Sequence, residues 1–309
     1  MRFAHITLGK AGSQWIKDVL SDPDIFGLQT GLRFFRPDKG GTYGMSQFAH
    51  EADGTVAAPI YEVTYDDWKQ YAGPTDRCLV VLRDPRDSIV SWGFSIAYSH
   101  VTEEHVRIVR PALLALDLRG KLEVAMYTFW ESAKAQRSWA ARPRTQTEFV
   151  LKYEDVIADE HKAFRDILDF FGWVAPEDVL AKVVNRLSFK TRSGRKPGEK
   201  QEFSHYRNGV AGDWKNYFDR DLGRRFEEAC PGLLVEMGYE RVNDWWESLP
   251  EDVPGLSEGA MGSKSDIDRL ERRVVGLERK NELLTALAKE RMEALEEALA
   301  LAETLVPKA

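Results

Sequence analysis

The pattern of apolar and polar positions predicts short strands that alternate with helices. Three apolar runs have the length of buried strands and end at glycine or charged residues: Phe3–Leu8, Arg77–Leu82 and Thr147–Tyr153. Each precedes a stretch with helical spacing: Ser13–Leu20, Pro85–Ala97 and Glu160–Phe171. This alternation predicts an α/β fold, a P-loop-like parallel sheet flanked by helices. In such sheets ligands bind at the carboxyl ends of the strands.

The loop after the first predicted strand has the composition of an anion cradle. It reads Leu8-Gly9-Lys10-Ala11-Gly12-Ser13-Gln14-Trp15. Its glycines let backbone N–H groups turn inward, and the next helix presents its positive N-terminus to an anion. Ser13 can cap that helix or donate to an oxygen, and an ordinary strand-to-helix turn remains the alternative interpretation. An ATP-type loop carries lysine after its second glycine and a hydroxyl ligand for magnesium. Here Lys10 precedes Gly12, which disfavours a kinase.

A second candidate anion site follows the second predicted strand. Arg83 ends the strand, Pro85 begins a helix, and Ser91 lies about two turns into that helix. Arginine grips phosphate through two donors, and serine adds a neutral one. The alternative is a helix start whose acids face the dipole while Arg86 is solvated. Two anion sites at the ends of two parallel strands indicate a ligand with two separated anionic groups.

Four segments in this order resemble the motifs of the PAPS-dependent sulfotransferase superfamily, where PAPS is 3′-phosphoadenosine 5′-phosphosulfate. The 5′-phosphosulfate loop and the 3′-phosphate motif are matched by Lys10–Trp15 and by Arg83 with Ser91. Two later segments resemble the family's L-x-Y-E-D and R-K-G-x-x-G-D-W-K stretches: Leu151–Asp155 and Arg207–Lys215. The resemblance implies in-line sulfuryl transfer from PAPS to an acceptor hydroxyl of a glycan or a small metabolite, with PAP as the product and no metal.

The resemblance also implies a role for each matched residue. The 5′-phosphosulfate would contact Lys10, Gly12, Ser13 and Gln14. Adenine would stack on Trp15, helped by Tyr153 and Phe189. The 3′-phosphate would contact Arg83, Ser91, Arg207, Asn208 and Gly209. Asn208 replaces the second basic residue of the late motif, so we expect a weaker phosphate contact there.

The general base is the least determined residue, since the stretch where cytosolic members carry histidine reads Ala58-Pro59-Ile60-Tyr61-Glu62-Val63. Some glycan-modifying members use glutamate, so Glu62 is the leading candidate and His50 the second, with His100 and His105 next. His5 lies inside a predicted strand and is expected to be buried. His205 neighbours the late motif and is expected to shape it.

Composition changes after residue 250. Residues 1–250 form the predicted sulfotransferase domain, and 251–265 are a Gly- and Ser-rich linker. Residues 266–306 have a long-helix composition with apolar heptad positions, including Ile267, Leu270 and Val274. A polar Asn281 at one core position favours a parallel two-stranded coiled coil, hence a homodimer or partner docking. A single amphipathic helix packed on the domain is the alternative.

Charge and apolar runs narrow the remaining function classes. The net charge of −7 disfavours nucleic-acid binding. No run reaches the roughly 20 apolar residues of a membrane span, and the first residues lack a signal-peptide pattern. A cytoplasmic location is therefore expected, with Cys78 and Cys230 as buried thiols. The rival readings are a nucleotide kinase-like phosphotransferase and a non-catalytic scaffold that acts through its coiled coil.

The heptad pattern generates a prediction about assembly. Truncation after Leu256 removes the predicted coiled coil and is expected to convert a dimer into a monomer in sedimentation experiments. Asn281→Leu is expected to mix oligomeric states, because the polar residue that selects the register is lost. A full-length chain that sediments as a monomer at micromolar concentration would contradict the prediction.

Overall fold

A computed structural model describes residues 1–257, except 39, 101–103, 141, 143, 202, 203 and 205. Within these residues, five strands form one sheet in the order β2-β3-β1-β4-β5, and every neighbouring pair is parallel. The strands are β1 Phe3–Thr7, β2 Arg33–Phe35, β3 Thr55–Tyr61, β4 Arg77–Leu82 and β5 Glu148–Lys152. The predicted α/β class with a parallel sheet is confirmed.

Helices precede, connect and follow the strands. The first group is α1 Ser13–Leu20, α2 Pro23–Phe26, α3 Gly41–Ala49, α4 Tyr65–Tyr71 and α5 Pro85–Phe94, which continues as a π-helical turn, Ser95–Ser99. The second is α6 Glu104–Leu114, α7 Leu118–Tyr127, α8 Trp130–Trp139, α9 Tyr153–Ala158 and α10 Glu160–Phe171. The last is α11 Glu177–Leu187, α12 Phe189–Ser193, α13 Arg220–Ala229 and α14 Leu233–Glu236, with 3₁₀ turns at Asp213–Asn216 and Trp245–Ser248.

The central strand β1 is buried along its whole length, as expected for a parallel sheet covered on both faces. His5 lies in the middle of this strand and is only 1% exposed. Burial lowers the pKa of His5 to about 3, so its ring stays neutral at physiological pH. The expectation that His5 is a buried core residue is confirmed.

Most predicted elements agree with the structure to within a residue or two. The strand Arg77–Leu82 and the helices Ser13–Leu20 and Glu160–Phe171 have the predicted bounds. The sequence analysis missed β2 and β3, however. Strand β3 contains Pro59, which has no N–H to donate to a sheet ladder. Its pairing with β1 shifts register between Ala4 and Ile6, and this irregularity accommodates the proline.

The start of α5 contains a buried charged cluster. Asp84 caps the helix and also accepts two hydrogen bonds from the Arg86 guanidinium, at 3.0 and 2.8 Å. Arg86 also pairs with Glu240 and lies 3.6 Å from the ring centre of Trp214 and 4.8 Å from that of Trp245. Arg86 is 2% exposed, so the alternative interpretation that it is solvated is wrong.

The folded unit continues past the predicted boundary at residue 250. Leu256 is 1% exposed, and its carbonyl accepts a hydrogen bond from the Arg119 N–H. The first residues of the predicted linker therefore pack on the domain. The predicted helix 266–306 lies outside the described residues. Cys78 and Cys230 are buried free thiols, as expected. Within the described ranges no helix is long and apolar enough to cross a membrane.

The Arg86 cluster generates a prediction about stability. Arg86→Ala leaves Asp84 buried without its partner and removes the stacking on two tryptophans. We expect it to lower the free energy of unfolding by about 3–5 kcal/mol in denaturant titrations. Arg224→Ala is the control, since Arg224 pairs with its neighbours at the surface and should change stability little. Equal effects of the two variants would contradict the prediction.

Candidate active site

The loop after β1 turns tightly before α1. Lys10 and Gly12 both adopt left-handed backbone conformations, with φ of 68° and 75°. Such a conformation is unusual for lysine and marks a constrained segment. At position 12 a β-carbon would lie 2.8 Å from the Tyr153 ring, so only glycine fits. Gly12 is the N-cap of α1, and Ser13 is the first residue of the helix rather than its cap.

Lys10 is at the centre of a group of cations. Its Nζ donates a hydrogen bond to Ser95 Oγ at 3.0 Å, and its carbonyl accepts one from Arg83 Nη1 at 2.6 Å. Burial, and then the charges of Arg83 and Arg207, lower the pKa of Lys10 from 10.5 to about 7. Three basic side chains from three segments, the partly buried Lys10 and the buried Arg83 and Arg207, therefore lie close together at the carboxyl edge of the sheet.

The position of Arg83 is fixed by contacts on every side. Its guanidinium lies 4.6 Å from the ring centre of Tyr153 and 3.9 Å from the Asp87 carboxylate. Its backbone N–H donates to Gln136 Oε1 at 3.3 Å. Arg83 Nε is buried and has no hydrogen-bond partner among the described residues. Ser91 is one helical turn before Ser95, so both hydroxyls lie on the same side of the helix as the cations.

The segment Arg207–Lys215, the late segment, contributes a third cation, Arg207. Arg207 pairs with Asp213, donates to the Tyr217 hydroxyl at 3.2 Å and lies over the Phe94 ring. Its Nε is also buried without a partner within the described part of the chain. Gly209 packs on Phe189, since a β-carbon there would lie 2.6 Å from the ring.

Asp87 ties this late segment to α5. Its carboxylate accepts hydrogen bonds from the backbone N–H groups of Gly212, at 2.7 Å, and Trp214, at 2.8 Å. Burial raises the pKa of Asp87, while Arg83 acts in the opposite direction. Asn208, next to Arg207, is buried, and its Oδ1 has no partner among the described residues.

Glu62 follows β3 and faces the first loop. Its Oε1 accepts hydrogen bonds from the Gly9 N–H at 3.2 Å and from Ser132 Oγ at 2.9 Å. Its Oε2 is buried and has no partner within the described ranges. Burial raises the pKa of Glu62, although the two hydrogen bonds act to lower it. Its backbone is left-handed, with φ of 55°, which marks a constrained position.

The residues predicted to stack on adenine lie around the same loop. Trp15 packs edge-on against Phe164, with ring centres 5.1 Å apart, and is partly buried. Tyr153 contacts Gly12 and Arg83. Phe189 lies against Gly209. Trp15 therefore lies beside the loop, Tyr153 beside Arg83, and Phe189 beside the late segment.

Comparison with known proteins decides the family. A family model described as a sulfotransferase domain matches residues 69–244, more than half of the chain. The chain belongs to the sulfotransferase domain family.

Individual relatives of this chain include sulfotransferases named for different acceptors. The 3-alpha-hydroxysteroid sulfotransferase of Cavia porcellus is 24% identical over 188 residues, 58% of this chain and 62% of that protein. Human carbohydrate sulfotransferase 2 is 31% identical over 111 residues, 35% of this chain and 19% of that protein. The chain thus spans less than two thirds of the curated relatives it matches. A mouse sulfotransferase, SULT7A1, solved with PAP, shares the fold: TM-score 0.51, 21% identity, covering 80% of this chain and 88% of that one.

His50 is not brought together with the other candidate residues. It is exposed and follows the end of α3. The preceding carbonyl, of Ala49, accepts a hydrogen bond from the side chain of Arg2, at the start of β1. His50 therefore lies at the amino edge of the sheet, opposite Lys10. The remaining histidines differ: His100 packs on Trp92, whereas the side chain of His105 and the whole of His205 lie outside the described residues.

Several residues that contact the site were not identified from the sequence. Ser132 and Gln136 are one turn apart on α8 and contact Glu62 and Arg83, respectively. Ser95 contacts Lys10 from the π-helical turn. Assignment of β3 as a strand would have pointed to Tyr61, because it precedes Glu62 at the carboxyl end.

The lowered pKa of Lys10 predicts how stability depends on pH. Between pH 7 and pH 10.5 the unfolded chain keeps the Lys10 proton while the folded chain releases it, so the contribution to stability rises with pH. Lys10→Met removes this contribution. Its advantage in unfolding free energy over wild type is expected to be largest below pH 7 and to shrink toward pH 10.5. Lys69→Met, at an exposed site on α4, is the control and should show no such trend.

Proposed function

We propose that this sulfotransferase transfers the sulfuryl group of PAPS to an acceptor hydroxyl. The observation that carries the proposal is the convergence of partly buried Lys10 with buried Arg83 and Arg207 in a chain with net charge −7. Buried cations repel one another and lose hydration, so this region is stabilised by an anion. The unpartnered Nε donors of Arg83 and Arg207 supply directed contacts for that anion.

The two ends of the donor would contact different segments. The 3′-phosphate would contact Arg83 and Ser91 on one side and the late segment on the other: Arg207, Asn208 and Gly209. Asp87 supports this arrangement, because it holds the late segment against α5 through two backbone N–H groups. The unpartnered Oδ1 of Asn208 accepts rather than donates, so the amide nitrogen would make any phosphate contact there.

The 5′-phosphosulfate would lie in the loop after β1. Lys10, Gly12, Ser13 and Gln14 surround this position, and the N-terminus of α1 adds its positive partial charge. Adenine would stack on the aromatic residues beside the loop: Trp15, Tyr153 and Phe189. Gly12 supports the fit, since the close approach of Tyr153 leaves no space for a side chain.

Lys10 would stabilise the charge that develops during transfer. In the free protein its pKa is about 7, because it is buried near two arginines. An anionic ligand raises that pKa, so Lys10 is fully charged when the ligand is bound. Contact with the bridging oxygen strengthens as the sulfur–oxygen bond to phosphate breaks and negative charge moves to the leaving group.

Glu62 would be the general base. The unpartnered Oε2 of Glu62 would accept the proton of the acceptor hydroxyl. The oxygen of that hydroxyl would form the new bond to sulfur while the bond between sulfur and the bridging oxygen of the 5′-phosphate breaks. The Gly9 N–H and Ser132 orient the other carboxylate oxygen. Burial raises the Glu62 pKa and thereby makes the carboxylate a stronger base than a solvated one.

The class of the acceptor has two candidates. A glutamate base is used by some glycan-modifying members of the superfamily, and one matching relative bears the name carbohydrate sulfotransferase 2. Another is named for a 3-alpha-hydroxysteroid, a small alcohol. Transfer of labelled sulfate from PAPS into an extract of the source cell, followed by identification of the product, would decide between a glycan and a small metabolite.

The donor is tested by ligand binding. We expect PAP to raise the melting temperature far more than ATP with magnesium, because the cations are arranged for two separated phosphate positions. Arg83→Ala is expected to weaken PAP binding by roughly 2–3 kcal/mol, since it removes a charged hydrogen-bonding pair. Equal or greater stabilisation by ATP with magnesium would support the kinase-like alternative. PAP binding without transfer to any acceptor would support the scaffold.

The base is tested by mutation. Glu62→Gln is expected to keep PAP affinity and nearly abolish transfer, because the amide cannot accept the proton. The wild-type rate should fall as pH decreases through the raised Glu62 pKa, and this acidic limb should be missing from the residual activity of the variant. His50→Ala is the matched control and should be mild. A dead His50→Ala with an active Glu62→Gln would reverse the assignment.

A further inference from the structure

Tyr61 makes two contacts with the first loop that the proposed roles leave unexplained. It is the last residue of β3, immediately before Glu62. Its hydroxyl lies 2.9 Å from Ser13 Oγ and 2.9 Å from Gln14 Nε2. Both partners belong to the set proposed to contact the 5′-phosphosulfate. The Tyr61 hydroxyl is therefore hydrogen-bonded to two of the side chains that are proposed to contact the nucleotide.

The orientation of the Gln14 amide follows from Lys17. Its ammonium donates to Gln14 Oε1 at 3.2 Å, which turns the Gln14 amide nitrogen toward Tyr61. The Tyr61 hydroxyl accepts from that nitrogen and has a single proton to give. Between Tyr61 and Ser13 either hydroxyl can be the donor. When Tyr61 donates to Ser13 Oγ, Ser13 keeps its own proton for an oxygen in the loop.

We propose that Tyr61 is a positioning residue that orients the Ser13 hydroxyl as a donor to the 5′-phosphate of the nucleotide. The donors run in one direction, from Lys17 through Gln14 and Tyr61 to Ser13. Each bond in such a chain polarises the next, and the ammonium at its start reinforces the effect. The inference rests on the proposed function, since it specifies how part of the PAPS site is built.

A purely structural role for Tyr61 makes a different prediction. If the hydroxyl only braced α1 against β3, its loss would weaken every ligand of the site alike. If it orients Ser13, its loss weakens only ligands that carry a 5′-phosphate. Adenosine 3′-monophosphate lacks that group but keeps the adenine and the 3′-phosphate, so it separates the two roles.

The experiment measures binding of PAP and of adenosine 3′-monophosphate by calorimetry. Tyr61→Phe is expected to weaken PAP binding roughly tenfold and to leave binding of the monophosphate within about twofold. In a Ser13→Ala background, Tyr61→Phe should have less than about a twofold further effect on PAP, because its target hydroxyl is gone. Tyr71→Phe is the control, since Tyr71 is also partly buried but makes no hydrogen bond to a described residue through its hydroxyl.

Three results would overturn the inference. Tyr61→Phe could bind PAP like wild type, could lose affinity for both ligands equally, or could add its full effect to that of Ser13→Ala. Melting temperatures of the variants without ligand identify a loss of folding, and Lys17→Met then removes the start of the same chain, outside the residues proposed to contact the nucleotide, and should show the same selective loss. A wild-type protein that binds no PAP would instead refute the proposed function, and this inference with it.

Discussion

The arrangement of the candidate active site depends on the confinement of three cations, Lys10, Arg83 and Arg207, in one buried region. Their mutual repulsion and lost hydration oppose folding, and two buried carboxylates, Asp87 and Asp213, offset part of that cost. The offset is incomplete, because burial and the two arginines still lower the pKa of Lys10 to about 7. A multiply charged anion would complete the balance, so the same electrostatics would link the stability of this region to the binding proposed for it.

Helix α5 carries residues that contact several parts of the site. Its first turn holds Arg86 between two tryptophans, and Asp87 on the next position fastens the backbone of the late segment. Ser91 and Ser95 follow one and two turns later on the side of the cations. Helix α5 and the π-helical turn that continues it therefore contact both Lys10, through Ser95, and the late segment, through Asp87.

Two consecutive residues at the end of β3, Tyr61 and Glu62, contact different parts of the site. Tyr61 is the last residue of β3, and Glu62 follows it with a left-handed backbone, at a φ of 55°. Tyr61 reaches α1 and contacts Ser13, whereas Glu62 reaches α8 and contacts Ser132. In the proposed function, Tyr61 serves hydrogen bonding to the nucleotide and its neighbour Glu62 serves proton transfer from the acceptor.

The sequence by itself determined the parallel α/β class and the bounds of several elements, because apolar runs that end at glycine, proline or charged residues are local signals. It also pointed to the loops after β1 and β4, since ligands gather at the carboxyl ends of parallel strands. Only the tertiary structure decided which side chains meet there. Ser95 approaches Lys10, and Tyr61 approaches Ser13, across long separations in the chain. No local sequence pattern encodes such contacts. Pro59 also kept β3, the strand that ends at Tyr61, from being predicted, because proline cannot donate to a regular sheet ladder.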